Sequence, residues 1–414
     1  MNPSSKSLEA RQSVAFPHVD NYRMQGFFRF VLALMVLWSH SIPTFFPEIS
    51  DNVAKLQLGN VAVSAFFVLS GYLMFEAIAI WYSGRLPQFI ANRYLRISPP
   101  LFIAAVVSIA IHAVLLRNEV ALVGIEAPPP GILTRSDIVI SLLDPLFPLN
   151  IPIIKLLGLA PGSSGYAFVR YAWAIFTELI FYWMLAAYLA TVALLGARIA
   201  TFTFLLIAVA MFVLGTGTYN GLFGTTFLAN AIAKIPLVSH FQWAPHFMIG
   251  IMLARYARKP DLPALIILLV ACVLAAIQLG LYVRLGVFGA LPVLVLYVAT
   301  LAAGFSMIMA NRREYVLGPF HFTAKLDRSF GNLSYPIYIN HFALALALLS
   351  ILYALTGVGL EKVPVLARVA LFVVFNLVIV AAAAALIHVT DSLTDRVRDR
   401  LRGTSLARPT TGKD

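Results

Sequence analysis

The stretch "RFVLALMVLWSH", Arg29–His40, sets ten apolar or small residues between a guanidinium and an imidazole. Extended in both directions it becomes a largely apolar run over 27–47, within the roughly 17–25 residues a helix needs to cross a bilayer. Ionisable groups inside such a run are costly, and they mark function more often than packing. Arg29 and His40 lie about three helical turns apart, so they project from one face, separated by about 16 Å along the axis. The bland alternative is that Arg29 snorkels to lipid phosphate and His40 bonds a neighbouring helix.

The rest of the chain repeats this pattern. Of its 414 residues, 60% are hydrophobic and 12% charged, with a mean hydropathy of +0.87. An ordinary soluble protein has about 25% charged residues. One anchor cannot produce such a mean. Apolar runs recur near 27–47, 59–80, 98–116, 171–195, 200–216, 240–256, 263–282, 287–310, 333–356 and 366–389. The sequence therefore predicts an all-α, polytopic membrane protein of about ten transmembrane helices. Alternate connections divide the basic residues unevenly, with 20 of the 30 on the side that carries both termini. The positive-inside rule puts that side, and both ends of the chain, in the cytoplasm. The net charge of +12 thus reads as topology and attraction to anionic membrane lipids rather than to nucleic acid.

Three parts follow: a cytoplasmic N-terminal arm over 1–26, an integral-membrane domain over 27–391, and a basic cytoplasmic tail over 392–414. The polar start lacks a short apolar core with a cleavage site, so the first span is expected to act as an uncleaved anchor. Within 117–170, the patch "IPIIKLLGLA" is expected to lie in the membrane interface, and 217–239 is expected as an external or re-entrant loop. The single cysteine, Cys272, excludes an internal disulfide and reads as a small buried hydrophobe.

Few polar residues interrupt the spans. Glu178, in "WAIFTELIFYW", is expected at the depth of His40, where a carboxylate would orient an imidazole acting as general base. Its alternative is a protonated helix contact. Arg93 and Arg96, three apart on one helix face, would form with Arg29 a cluster suited to phosphate, unless they are only topological charge. Ser70 and Gly71 sit mid-span, where small residues allow close helix packing. Tyr335, Asn340 and His341 fall in the ninth span, and His240 and His246 near the outer side. No HExxH pairing, Walker A loop, GxGxxG or GxSxG is present, so no metal is expected. His112 and His388 read as span-end residues.

These residues stand in a known order. Arg29 and His40, then "FFVLSGYLMF", "RYLRISP", "WAIFTELIFY", "FMIGIML" and "LSYPIYINH" resemble the acyltransferase 3 family over residues 20–391. That family comprises integral-membrane O-acyltransferases of bacterial surface carbohydrates and some small molecules. The resemblance implies an inner-membrane enzyme moving an acyl group, acetyl being commonest, from cytoplasmic acyl-CoA to a carbohydrate, glycolipid or lipid-linked glycan. It implies catalysis by His40, with Arg29 its paired arginine and Arg93 and Arg96 meeting the acyl-CoA. Trp173 and Glu178 fit a W-x4-E pattern completed by Phe181 and Tyr182, and Tyr335 and His341 fit the ninth-span element. Leu179 and Ile180 replace an acidic residue and Gln seen in many members, Asn340 replaces a common Trp, and Asp391 lacks a following proline. Without the resemblance, the same intramembrane groups would equally serve a proton-coupled transporter or flippase, with His40 and Glu178 as relay. The inverted repeats that would favour transport are not evident.

Overall fold

The computed structural model describes residues 25–402 except 83, 123–132, 144, 146–165, 220–237, 259, 285–289, 311–314 and 318–319. The interfacial reading of 151–160 and the re-entrant reading of 220–237 lie outside the described residues, as does the His240 side chain.

Among the described residues, each of the ten apolar runs contains a helix. In chain order the helices are α1 (Gly26–Phe45), α2 (Ser50–Leu56), α3 (Leu58–Trp81), α4 (Leu86–Arg117), α5 (Arg135–Leu143), α6 (Trp173–Leu195), α7 (Ala197–Tyr219), α8 (Ala244–Arg258), α9 (Leu262–Arg284), α10 (Ala290–Ala310), α11 (Ala324–Thr356) and α12 (Val365–Arg402). Seven of the described helical segments are long and apolar enough to span a membrane. The 240–256 run is divided: a 3-10 turn, Val238–Trp243, precedes the 15-residue α8, which alone is shorter than the bilayer core. α8 is buried from Ala244 through Met252, so it is an internal helix. A two-stranded antiparallel ribbon, Tyr315–Leu317 with Phe320–Phe322, interrupts the helical pattern before α11.

Outward faces carry apolar side chains. Leu262, Ile266, Leu269, Val273 and Ile277 are exposed along α9, and Leu366, Val373, Leu377 and Val378 along α12. Water would penalise such stripes and lipid does not, as expected of a multi-pass membrane protein. Cys272 belongs to the exposed surface of α9, which corrects its reading as buried.

Inside, packing depends on close backbone approach. α3 and α8 form the most extensive helix pair. A Cβ on Gly250 would lie 2.0 Å from the Val68 carbonyl oxygen, and one on Gly71 2.2 Å from that of Phe247. Only hydrogen fits at either crossing point. α1 packs on α3 and α11, and α11 on α4 and α12. The start of α1 is capped from a distance: the buried Asp327 carboxylate accepts from the Gly26 and Phe27 amides at 2.7 and 2.9 Å. These are orphan donors at the positive end of a helix, where a carboxylate is favoured.

The helices differ in length, and this shapes the site. α4 has 32 residues and α12 has 38, about 48 and 57 Å at 1.5 Å per residue, well beyond the bilayer core of about 30 Å. α12 stays helical through Arg402, and its end returns to α4, where Asn92 Nδ2 donates to the Arg398 carbonyl at 3.1 Å.

Candidate active site

The site is a column along α1, with arginines at one end and aromatic nitrogen rings at the other. At the arginine end, Arg96 lies within electrostatic reach of Arg29, Arg93 and Arg398. The expected three-residue cluster is therefore assembled from α1 and α4, and α12 adds a fourth guanidinium. Arg398 also pairs with Asp395 at 3.1 Å and Asp391 at 3.7 Å, so the mouth is positive but partly balanced. Sequence reasoning missed Arg398; the alternating charges of 395–400 were the available signal. Arg93 lies over the rings of Phe89 and Tyr182, 5.4 and 5.7 Å from their centroids. Such stacking holds a guanidinium plane while leaving its N–H fork for a ligand. Pro99 and Pro100, just beyond Arg96, have no N–H to give the Leu95 and Arg96 carbonyls. The adjacent Ile97 carbonyl takes the Tyr335 hydroxyl at 2.8 Å.

Glu178 lies between the ends. It accepts from Ser70 Oγ at 2.7 Å and from the Tyr182 hydroxyl in a short contact. Tyr335 and Tyr338 lie within electrostatic reach of it. Among the described residues it has no contact with His40. The expectation that Glu178 orients His40 is thus not met by the geometry. α6 begins at Trp173, and Glu178 lies five residues, about 7.5 Å, further along the helix. What meets His40 is Tyr171, in the turn before α6. Ser70, read as a spacer, is a partner of the carboxylate, whereas Gly71 does serve close packing.

At the far end three rings lie nearly parallel. Tyr171 stacks on His40 at a centroid separation of 3.8 Å and an angle of 17°, and on His341 at 5.1 Å and 6°. The two imidazoles are 5.5 Å apart. His341 is buried, and its Nδ1 is 2.7 Å from the Tyr338 carbonyl. A carbonyl only accepts, so Nδ1 carries the hydrogen and Nε2 a lone pair. That Nε2 is buried without a hydrogen-bond partner among the described residues. Tyr338 in turn donates its hydroxyl to the Tyr171 carbonyl at 2.5 Å, fixing the turn that carries the stacking ring. Neither ring nitrogen of His40 is hydrogen-bonded among the described residues, and His40 lines a cavity of about 270 Å³ that Trp173 also borders.

The turn itself is anchored by residues that sequence reasoning set aside. His112 is buried, bonded through Nδ1 to the Ser108 carbonyl at 2.7 Å and through Nε2 to the Tyr166 hydroxyl at 2.9 Å. Ser108 Oγ donates to the Phe168 carbonyl at 2.7 Å. α4 thereby fastens the segment leading to Tyr171. His246 meets Tyr297 in a separate buried contact. His388 is exposed. No group of three metal-ligating side chains occurs among the described residues.

A family model described as an acyltransferase domain matches residues 26–387, nearly the whole of this column and its supporting helices. The chain belongs to the acyltransferase 3 family. Among curated proteins and solved structures, none matches it. The residues singled out by the sequence resemblance fall on four helices of this domain, with Arg29 and His40 on α1, Arg93 and Arg96 on α4, Trp173 and Glu178 on α6, and Tyr335 and His341 on α11.

Proposed function

We propose that this acyltransferase moves a short acyl group, acetyl first among them, from acyl-CoA to a hydroxyl of a surface polysaccharide, glycolipid or lipid-linked sugar in the inner membrane. The observation that carries this reading is the column itself. Arg29, the α1 member of a guanidinium cluster, and the unbonded imidazole of His40 beside a cavity share one helix, about 16 Å apart along its axis.

In this reading the arginine mouth faces the cytoplasm, which the excess of basic residues on that side supports. Arg29, Arg93 and Arg96, with Arg398, hold the phosphates of the acyl-CoA. The pantetheine arm runs along α1 past Tyr335, Tyr182 and Glu178 toward His40. A lone pair on a His40 nitrogen takes the acceptor's hydroxyl proton as the oxygen attacks the thioester carbonyl carbon. The C–O bond forms and the carbonyl electrons move to oxygen. Collapse of that adduct breaks the C–S bond, and the CoA thiolate leaves with the proton returned by the imidazolium. Tyr171 keeps the ring plane of His40 fixed throughout. Glu178 supports the donor channel by holding Tyr182, on which Arg93 lies.

The test is transfer of radiolabelled acetyl from acetyl-CoA to envelope glycan in membranes containing the protein, with succinyl-CoA as a second donor. Label in glycan that depends on the protein is expected. If correctly folded protein supports no transfer from any acyl-CoA, the reading fails and proton-coupled transport through His40 becomes the better one.

A further inference from the structure

The cavity beside His40 has a composition that selects its occupant. It opens at the C-terminal end of α1, away from the arginine mouth, between that helix, α2, the start of α3 and the turn before α6. Among the described residues its lining contains no Asp, Glu, Lys or Arg. The polar groups are Ser39, Gln57 and Asn60 beside the His40 ring and the tyrosines, and Trp173 supplies an aromatic wall.

The amides are pre-set. Gln57 Nε2 donates to the Ala54 carbonyl at 2.8 Å, and Asn60 Nδ2 donates to Gln57 Oε1 at 2.7 Å. This leaves Asn60 Oδ1 as an acceptor without a partner among the described residues. Ser39 Oγ donates to the Val36 carbonyl at 2.7 Å, which leaves its lone pairs to accept. Pro43 has no N–H to give the Ser39 carbonyl one turn back. Gln57 holds this corner in a left-handed backbone conformation, φ 49°, which non-glycine residues adopt at a cost and which clusters at ligand sites. With these bonds made, the wall presents acceptors on Asn60 Oδ1 and Ser39 Oγ together with the second N–H of each amide, a mixed set that complements a ligand rich in hydroxyls, which both donate and accept. A charged ligand would lose water here without finding a counter-ion. The volume, about 270 Å³, falls just under the roughly 300–1,000 Å³ of drug-sized pockets, which suits one ring rather than an oligomer.

We propose that this cavity is the acceptor subsite and takes one uncharged, hydroxyl-rich ring, a neutral sugar unit, with one hydroxyl on His40 and its neighbours on Asn60 Oδ1 and Ser39 Oγ. The inference rests on the acyl-transfer reading for its chemistry but not for its binding. Neutral sugar units are accepted, and uronic-acid or phosphorylated units are refused.

The test uses the full chain in nanodiscs. Methyl glycosides of neutral hexoses and the matching methyl uronides are titrated, with binding followed by tryptophan fluorescence. Acetyl-CoA binding is measured in parallel. At least one neutral glycoside is expected to bind saturably, about tenfold or more tighter than its uronide. Asn60→Leu is expected to weaken it about tenfold. Gly59→Ala is the second variant: its Cβ would approach Ser39 Oγ to 2.8 Å with little else nearby, narrowing the cavity, and it should weaken the glycoside while leaving acetyl-CoA binding unchanged. Equal or tighter uronide binding, no binding of any neutral glycoside, or wild-type affinity in both variants would overturn the proposal. Asn60-dependent glycoside binding without acyl transfer would remove the acyl-transfer reading and keep the subsite. Transfer to charged acceptors only would do the reverse.

Discussion

His40 has both ring nitrogens free of hydrogen bonds among the described residues and one face covered by Tyr171, so stacking holds it and its nitrogens stay available. Three substitutions separate these properties. His40→Gln should lower turnover about 10²–10⁴-fold, the usual scale for a general base, with little change in the KM for acyl-CoA. Tyr171→Phe keeps the stacked ring and should stay near wild-type turnover, whereas Tyr171→Leu should lose about tenfold in kcat through a loosened imidazole. If Tyr171→Leu turned over like wild type, stacking would not be what fixes His40. At this scale the sequence was only partly legible. Arg29 and His40 could be placed on one face because both lie in a single helix with a fixed period. The expected His40–Glu178 contact depended on the depth of Glu178 along α6, and it is Tyr171, seven residues before it, that meets His40, while Glu178 goes to Ser70 and Tyr182. Tyr171 went unnoticed because its position comes from a turn anchored by His112 and Ser108, residues distant in sequence.

Among the elements, two contacts fix how α1 and α3 sit. Gly250→Ala would drive a Cβ into the Val68 carbonyl, backbone against backbone, so α3 and α8 must part. The expected loss is at least about 2–3 kcal/mol, read as a lower melting temperature in detergent and poor recovery from membranes. Asp327→Asn removes the charge from two amide bonds that cap α1 and should cost about 2 kcal/mol. Activity per folded molecule should persist in that variant, because the cap lies outside the proposed chemistry. The apolar runs were legible as helices since each needs only length and composition. The extension of α12 to Arg402 was not, because its last turns are polar and are held by α4 and not by lipid. The division of 240–256 into a turn and an internal helix was hidden for a related reason: burial in protein and burial in lipid select the same side chains.

For the whole molecule, the overhang of α4 and α12 beyond the bilayer gathers arginines from three helices at one mouth. In the proposed topology, which follows the positive-inside distribution, that mouth faces the cytoplasm. A reporter fused after the C-terminus should therefore be active only as a cytoplasmic fusion, as a fluorescent protein is, and silent as a periplasmic phosphatase. The opposite pattern would place the donor site on the wrong side for acyl-CoA. The most direct measurement of the central claim compares Arg96→Ala and His40→Gln in single-turnover transfer from radiolabelled acetyl-CoA, with donor affinity measured separately. Arg96→Ala is expected to weaken acetyl-CoA binding at least about tenfold while a saturated complex still transfers. His40→Gln is expected to bind the donor normally and fail to transfer. Normal donor affinity in Arg96→Ala, or full transfer by His40→Gln, would contradict the account.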